Sequence, residues 1–126
     1  MVFGTGCDIV EHNEIINLNW GSDIFIQKRI FTNKELQIYS EKNRISFLAG
    51  RFAAKEAVLK CLGLGMQDGI ALTDIQVLQT KRGKPLIELF NETKRIADEL
   101  QINFWHISIT HGSNYSIAFV IAENKY

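Results

Sequence analysis

The chain has 126 residues, 46% of them apolar and 22% charged, with 14 Lys and Arg balancing 14 Asp and Glu. That length suits one compact domain over 1–126, and the zero net charge excludes a general nucleic-acid binder, which needs a basic excess to neutralise phosphates. No apolar run approaches the ~20 residues of a membrane span, and Met1 opens an alternating stretch instead of a basic and then apolar leader, so a cytoplasmic protein is expected.

Met1 to Val10 (MVFGTGCDIV) reads as a strand in which Gly4 and Gly6 allow another backbone to come close. Asp8 interrupts it, as a turn-former or as a ligand. Glu11 to Trp20 opens a short helix with Ile15, Ile16 and Leu18 on its apolar side. Ser22 is placed to cap a second helix through Phe31, with Phe25, Ile26 and Ile30 pointing inward. Thr32 and Glu35 have the spacing of a capping box, and the helix they open carries Leu36 and Tyr39. Ile45 to Gly65 (ISFLAGRFAAKEAVLKCLGLG) is the longest helical pattern. Leu48, Phe52, Leu59 and Leu62 share a face there, four alanines admit close neighbours, and Gly63 is a natural stop.

A strand from Leu72 to Gln79, a turn at Lys81-Arg82-Gly83-Lys84-Pro85 and a strand from Leu86 to Phe90 make a hairpin. Asn91 is set to cap a helix to about Leu100. Phe104 to His111 and Tyr115 to Ala122 form a last hairpin around His111-Gly112-Ser113-Asn114. The whole is an α+β fold, a long central helix packed on a mainly antiparallel sheet. Cys7 and Cys61, both in apolar contexts, read as buried reduced thiols.

Asp8, Glu56, Lys60, Lys84 and His111 each lie at the end of an element or beside a glycine. Glu56 sits on the flank of the long helix's apolar stripe. Either it pairs with Lys60 one turn on, or it is partly enclosed and meets a cation, a metal or a hydrogen-bond donor. Two carboxylates from separate elements suit magnesium, which takes one or two of them and completes its shell with water and phosphate oxygens. His111 either holds its loop or contacts phosphate. His12 and His106 read as surface or sheet-face residues, and Lys55, on the apolar stripe, as a snorkelling side chain. Gly63-Leu64-Gly65 is too short for a phosphate loop of the nucleotide-hydrolase type, and the cysteines and histidines have no zinc spacing.

The runs GCDIVEHNEI (6–15), RIFTNKEL (29–36), FLAGRFAAKEAVLKCLGLG (47–65), GKP (83–85) and HISITH (106–111) carry a further signal. In order and over nearly the whole chain, they resemble the holo-acyl-carrier-protein synthases, the small bacterial 4′-phosphopantetheinyl transferases. The resemblance implies that family's fold and an enzyme of fatty acid biosynthesis. Such an enzyme moves the phosphopantetheine arm of coenzyme A to a serine of apo-acyl carrier protein, with magnesium, releasing adenosine 3′,5′-bisphosphate.

Carried over by motif, Asp8 and Glu56 are the implied magnesium ligands, and Glu56 and Lys60 the implied catalytic residues. Arg51, Lys60, Gly63 and Gly65 are implied along the coenzyme A phosphates. Lys84, Pro85, Ser108, Thr110 and His111 are implied at the nucleotide pocket. The resemblance also implies a homotrimer with sites between neighbouring subunits. The acidic carrier is expected to dock on Lys28, Arg29 and Arg44, with Lys34 beside them, because Glu14 stands where the family carries a base. Leu64 and Gly112 likewise stand where a hydroxyl is common. Two rival readings are a coenzyme A or carrier-binding module without turnover and a purely structural oligomer.

Overall fold

Helix α4 (Ile45–Cys61) is the axis of the computed structural model, which describes residues 1–124. Its sequence is apolar or small on nearly every side, and such a helix must be covered all round. Leu48, Ala49, Ala53, Ala54, Ala57, Val58 and Leu59 are fully buried. The single apolar stripe expected from spacing is therefore too narrow a description. The helix ends at Cys61, short of Gly65, and Gly63 turns the chain away at φ 72°.

On one side of α4 lies a three-stranded antiparallel sheet of β1 (Val2–Glu11), β5 (Tyr115–Asn124) and β4 (Ile102–His111), in that order. The face toward α4 carries Ala118, Val120 and Ala122, all fully buried. Strand β1 comes closest. A Cβ on Gly6 would lie 1.9 Å from the Ala57 carbonyl oxygen, and one on Gly4 2.8 Å from that of Cys61. No side chain fits there, so the two glycines let the strand rest on the helix backbone. Asp8, two residues beyond Gly6, shares that inner face by the alternation of a strand.

The hairpin of β2 (Ile75–Gln79) and β3 (Pro85–Leu89) makes a separate two-stranded sheet, and Leu72–Asp74 is a 3₁₀ turn leading into it, where the sequence led us to expect strand. Helices α1 (His12–Asn17), α2 (Ile24–Ile30), α3 (Asn33–Lys42) and α5 (Asn91–Glu99) complete the fold. The capping box at Thr32 and Glu35 forms as expected.

Several local expectations are corrected. Asp23, not Ser22, caps α2, its Oδ1 accepting from the amides of Phe25 and Ile26. Phe25 is 80% exposed, and Ile16 and Leu18 also face solvent, because short α1 and α2 each lay only part of their surface on the core. Asn91 lies inside α5 at φ 52° and gives its amide to Asp74 instead of capping. Cys61 is buried but Cys7 is exposed, since it alternates with Gly6 and Asp8 onto the outer sheet face.

Lys55 does not snorkel. It is fully buried, its Nζ donating to Glu35 Oε1 at 2.7 Å and to the carbonyls of Ile30 and Leu72. Glu35 in turn accepts from the Thr32 and Val77 amides, so one buried ion pair ties α3, α4 and β2 together. His12 is likewise buried, against the expectation of a surface residue.

Candidate functional site

The close approach of β1 to α4 brings Asp8 to the C-terminal half of the helix. Lys60 Nζ donates to Asp8 Oδ1 at 3.2 Å and to the Cys7 carbonyl at 2.8 Å. Lys60 thus reaches across to the strand and does not take Glu56 as its i,i+4 partner. Glu56 is half-buried, and its Oε1 is buried with no hydrogen-bond partner. Burial pushes the Glu56 carboxyl above the usual carboxylate range, the neighbouring Asp8 charge adds to this, and Lys60 opposes it.

Asp8 and Glu56 share a cavity of about 310 Å³ whose apolar wall includes Leu18, Trp20 and Phe52. The donor set is two hard carboxylates, one with an orphaned oxygen. No cluster of three or more His, Cys, Asp or Glu among the described residues forms a metal cage. That set fits magnesium, which binds through one or two carboxylates and keeps its other positions for water and phosphate.

A second cavity, of about 520 Å³, opens at the other end of α4 and is rich in cations. Arg44, Arg51, Ser46, Pro85, Ile109 and His111 are among its lining. Arg51 is nearly buried. Its guanidinium stacks over the Phe47 ring at 4.3 Å and donates to Gln79 Oε1 at 3.0 Å, while Nε has no partner. Burial lowers its affinity for its proton, and the charge of Glu35 works against that shift. An arginine held on an aromatic face keeps its positive charge fixed at the cavity wall.

The implied site residues therefore fall into two groups. Asp8, Glu56 and Lys60 meet at β1 and α4. Arg51, Pro85 and His111 meet in the larger cavity, with Arg44, which had been expected to dock the carrier. Lys84 is exposed beside that cavity, and Gly63 and Gly65 lie in the turn after α4. Gly65 gives its amide to Asp68 Oδ2 at 2.7 Å. Ser108 and Thr110 face away from the larger cavity, on the exposed outer side of β4. Lys28 and Arg29 are exposed at the end of α2. Neither cavity contains both groups, and Arg51 and Lys60 stand nine residues apart on α4, about 13 Å of helix rise.

Sequence reasoning missed Gln79, Phe47 and Trp20. Only the apolar character of the last two was legible, and that marks core as readily as a pocket wall.

Comparison with known proteins adds the following. A family model described as the 4′-phosphopantetheinyl transferase superfamily matches residues 4–120. A holo-[acyl-carrier-protein] synthase of Hydrogenovibrio crunogenus is 41% identical over 126 residues, covering 99% of both chains. The crystal structure of the corresponding synthase from Neisseria meningitidis superposes with a TM-score of 0.88 at 31% identity, over 98% of this chain and 100% of that one. The Bacillus anthracis synthase, solved in complex with CoA (3′,5′-ADP), gives 0.80 at 31% identity over 99% of each chain.

Proposed function

Because the chain belongs to the 4′-phosphopantetheinyl transferase superfamily, among the holo-[acyl-carrier-protein] synthases, we propose that it transfers the 4′-phosphopantetheine arm of coenzyme A to a serine of apo-acyl carrier protein in a magnesium-dependent reaction that releases adenosine 3′,5′-bisphosphate. The observation that carries this reading is the pair Asp8 and Glu56, one from β1 and one from α4. They share a cavity, and the helix partner keeps an unsatisfied buried oxygen.

Asp8 and Glu56 would hold the metal, whose contribution when bound is Lewis-acid polarisation and a template for the diphosphate. Lys60, half exposed at the end of α4, supplies its ammonium to the departing phosphate. Glu56, or a water that it orients, accepts the proton of the carrier serine as the hydroxyl attacks phosphorus. Arg51, Arg44 and His111 meet the nucleotide end, where fixed positive charge and position are most of what phosphoryl transfer needs.

Two cavities that one copy does not join require a neighbour that brings the second to the first. The outer face of the sheet supports this. Ile9, Phe104, Tyr115 and Phe119 are each at least 43% exposed there, and the half-buried Ile117 and Ile121 lie between them. A homotrimer built on that face covers it and places Ser108 and Thr110 at a subunit boundary. The carrier is assigned to α1 and α2, where exposed Leu18, Ile24 and Phe25 supply apolar contact and Lys28 and Arg29 supply charge. No helix among the described residues is long and apolar enough to cross a membrane, and the reading needs none.

The test is mass spectrometry of purified apo-acyl carrier protein incubated with the protein, coenzyme A and magnesium. A phosphopantetheine mass gain is expected from the wild type and none from folded Asp8→Asn or Glu56→Gln. No gain with the wild type on any acidic carrier overturns the reading.

A further inference from the structure

The polar contacts of His12 all lead toward the larger cavity, although the ring itself touches no part of it. His12 begins α1 directly after β1 and is 5% exposed. Its backbone amide donates to the Asn114 carbonyl at 2.8 Å, and its Nδ1 lies 3.1 Å from the Ser113 carbonyl oxygen. A carbonyl only accepts, so Nδ1 carries the proton there. On the other side of the ring, Nε2 lies 2.8 Å from Ser116 Oγ, which is itself 3.2 Å from the Ser46 carbonyl oxygen. One side chain thus joins the start of α1, the 112–114 loop and strand β5, and the single hydroxyl proton of Ser116 is shared between Nε2 and the Ser46 carbonyl in the first turn of α4.

Two of the places this network ends are walls of the larger cavity. Ser46 lines it directly, and so does His111, the residue preceding the loop and the cross-strand partner of Ser116. The loop has little else beneath it. Residues 112–114 are exposed, a Cβ at Gly112 would meet nothing within 4 Å, and one bond, from Gly112 N to Tyr115 O at 2.9 Å, closes the turn. An exposed hairpin tip with so few contacts opens locally at small cost unless something holds it.

Resting on the functional reading above, we propose that His12 is a positioning residue for nucleotide binding. Its ring latches the 112–114 loop, and with it His111, in register with Ser46 and Arg51 across the cavity. A pocket wall held in place before the ligand arrives raises affinity by lowering the ordering cost of binding. The carboxylates at Asp8 and Glu56 lie in the other cavity, so loss of the latch acts on coenzyme A binding and leaves the chemical step alone.

The test compares wild type with His12→Ala, His12→Asn and Ser116→Ala, each as the full chain. It measures calorimetric affinity for adenosine 3′,5′-bisphosphate, steady-state transfer with coenzyme A varied, and amide exchange over 112–115. His12→Ala is expected to weaken the bisphosphate and raise KM for coenzyme A by about tenfold, roughly the loss of one buried hydrogen bond to a neutral partner. Its kcat at saturating coenzyme A is expected to stay within about twofold, with KM for the carrier unchanged. Exchange over 112–115 quickens. His12→Asn recovers most of the affinity, because its amide nitrogen stands near the place of Nδ1 and restores the bond to Ser113.

A folded His12→Ala with wild-type bisphosphate affinity and wild-type exchange overturns the proposal. So does a loss of kcat at unchanged KM. Should His12→Ala fail to fold, Ser116→Ala, which removes the other arm, carries the same expectation at about threefold. Wild type that neither binds the bisphosphate nor modifies a carrier overturns the functional reading instead, and exchange at 112–115 then still decides whether His12 is a latch.

Discussion

Lys60 Nζ rests 3.2 Å from Asp8 Oδ1, while Glu56, one helical turn earlier, keeps a buried carboxylate oxygen unpartnered. The lysine therefore stands in for a cation at one carboxylate and not at the other. Lys60 thus competes with any cation for the Asp8 carboxylate. Lys60→Met is expected to bind Mn²⁺, read by its electron paramagnetic resonance signal, about threefold or more tightly, the order of a half-exposed ion pair. Its turnover falls, because the phosphates lose that charge. Weaker Mn²⁺ binding by the variant is the contrary result.

Asp8→Asn and Glu56→Gln are expected to lower transfer by at least about 100-fold, the scale of losing metal-assisted stabilisation of the transition state. Both variants should keep the melting temperature within a few degrees, since neither side chain is part of the packed core. Mn²⁺ titration of the same proteins separates lost metal from lost chemistry.

The buried pair of Glu35 and Lys55 gives a stability prediction of a different kind. Both side chains are fully buried, and burial pulls the Lys55 ammonium below its ordinary range while Glu35 holds it up. Lys55→Met leaves the Glu35 carboxylate alone in the core and is expected to cost about 3–5 kcal/mol in urea unfolding. The double variant Glu35→Gln, Lys55→Met should cost much less than the sum of the singles, because the charge goes with its partner. Additive losses would show that the two sites are not coupled.

Phe119, 43% exposed on the outer sheet face, reports on assembly. Phe119→Asp is expected to break the proposed homotrimer into monomers in sedimentation and to abolish transfer without unfolding the chain. Cys7, its cross-strand neighbour on that face, should be alkylated more slowly as protein concentration rises. A fully active wild-type monomer excludes the shared site.

Cys61 supplies the pH prediction. Burial against the sheet pushes its thiol from the ordinary 9.0 to about 11, with a backbone hydrogen bond from Ala122 opposing. Between those values the unfolded chain releases the proton and the folded one keeps it, so the folded state binds more protons and stability falls as pH rises. The contribution is complete below pH 9 and is lost through about pH 11, amounting to roughly 2–3 kcal/mol for the group. Cys61→Ala should flatten that alkaline slope in denaturation midpoints. At pH 8 iodoacetamide should leave Cys61 unmodified in native protein, because the thiolate is the reactive form.

Much of the scaffold that carries the candidate site is legible in the sequence. The strand carrying Asp8, the helix carrying Glu56 and Lys60, the capping box at Thr32 and both hairpins follow from local chemistry: periodicity, caps and turn residues. Gly4 and Gly6 even marked where a second backbone approaches. What local chemistry did not reveal was partner choice. Lys60 has Glu56 one turn away, yet takes Asp8 from a strand 52 residues earlier. Lys55 looked like a snorkelling stem because it falls on the apolar stripe and no acid lies three or four residues from it on the helix, while its partner Glu35 lies 20 residues back.

By itself, then, the sequence determined which elements form, roughly where along the chain they lie, and which acids and bases are on hand. Those properties depend on backbone preference and on neighbours within a turn or two. Tertiary structure alone decided that Ile117 and Phe119 face outward while Ala118 and Val120 face the helix, and that His12 is buried under a loop a hundred residues away. It also decided that Arg44 and Arg51 line a different cavity from Asp8 and Glu56. Side chains on a strand alternate whichever face is buried. Which face meets the core is settled only when α4, with its alanines, admits the small residues of β5 and the glycines of β1.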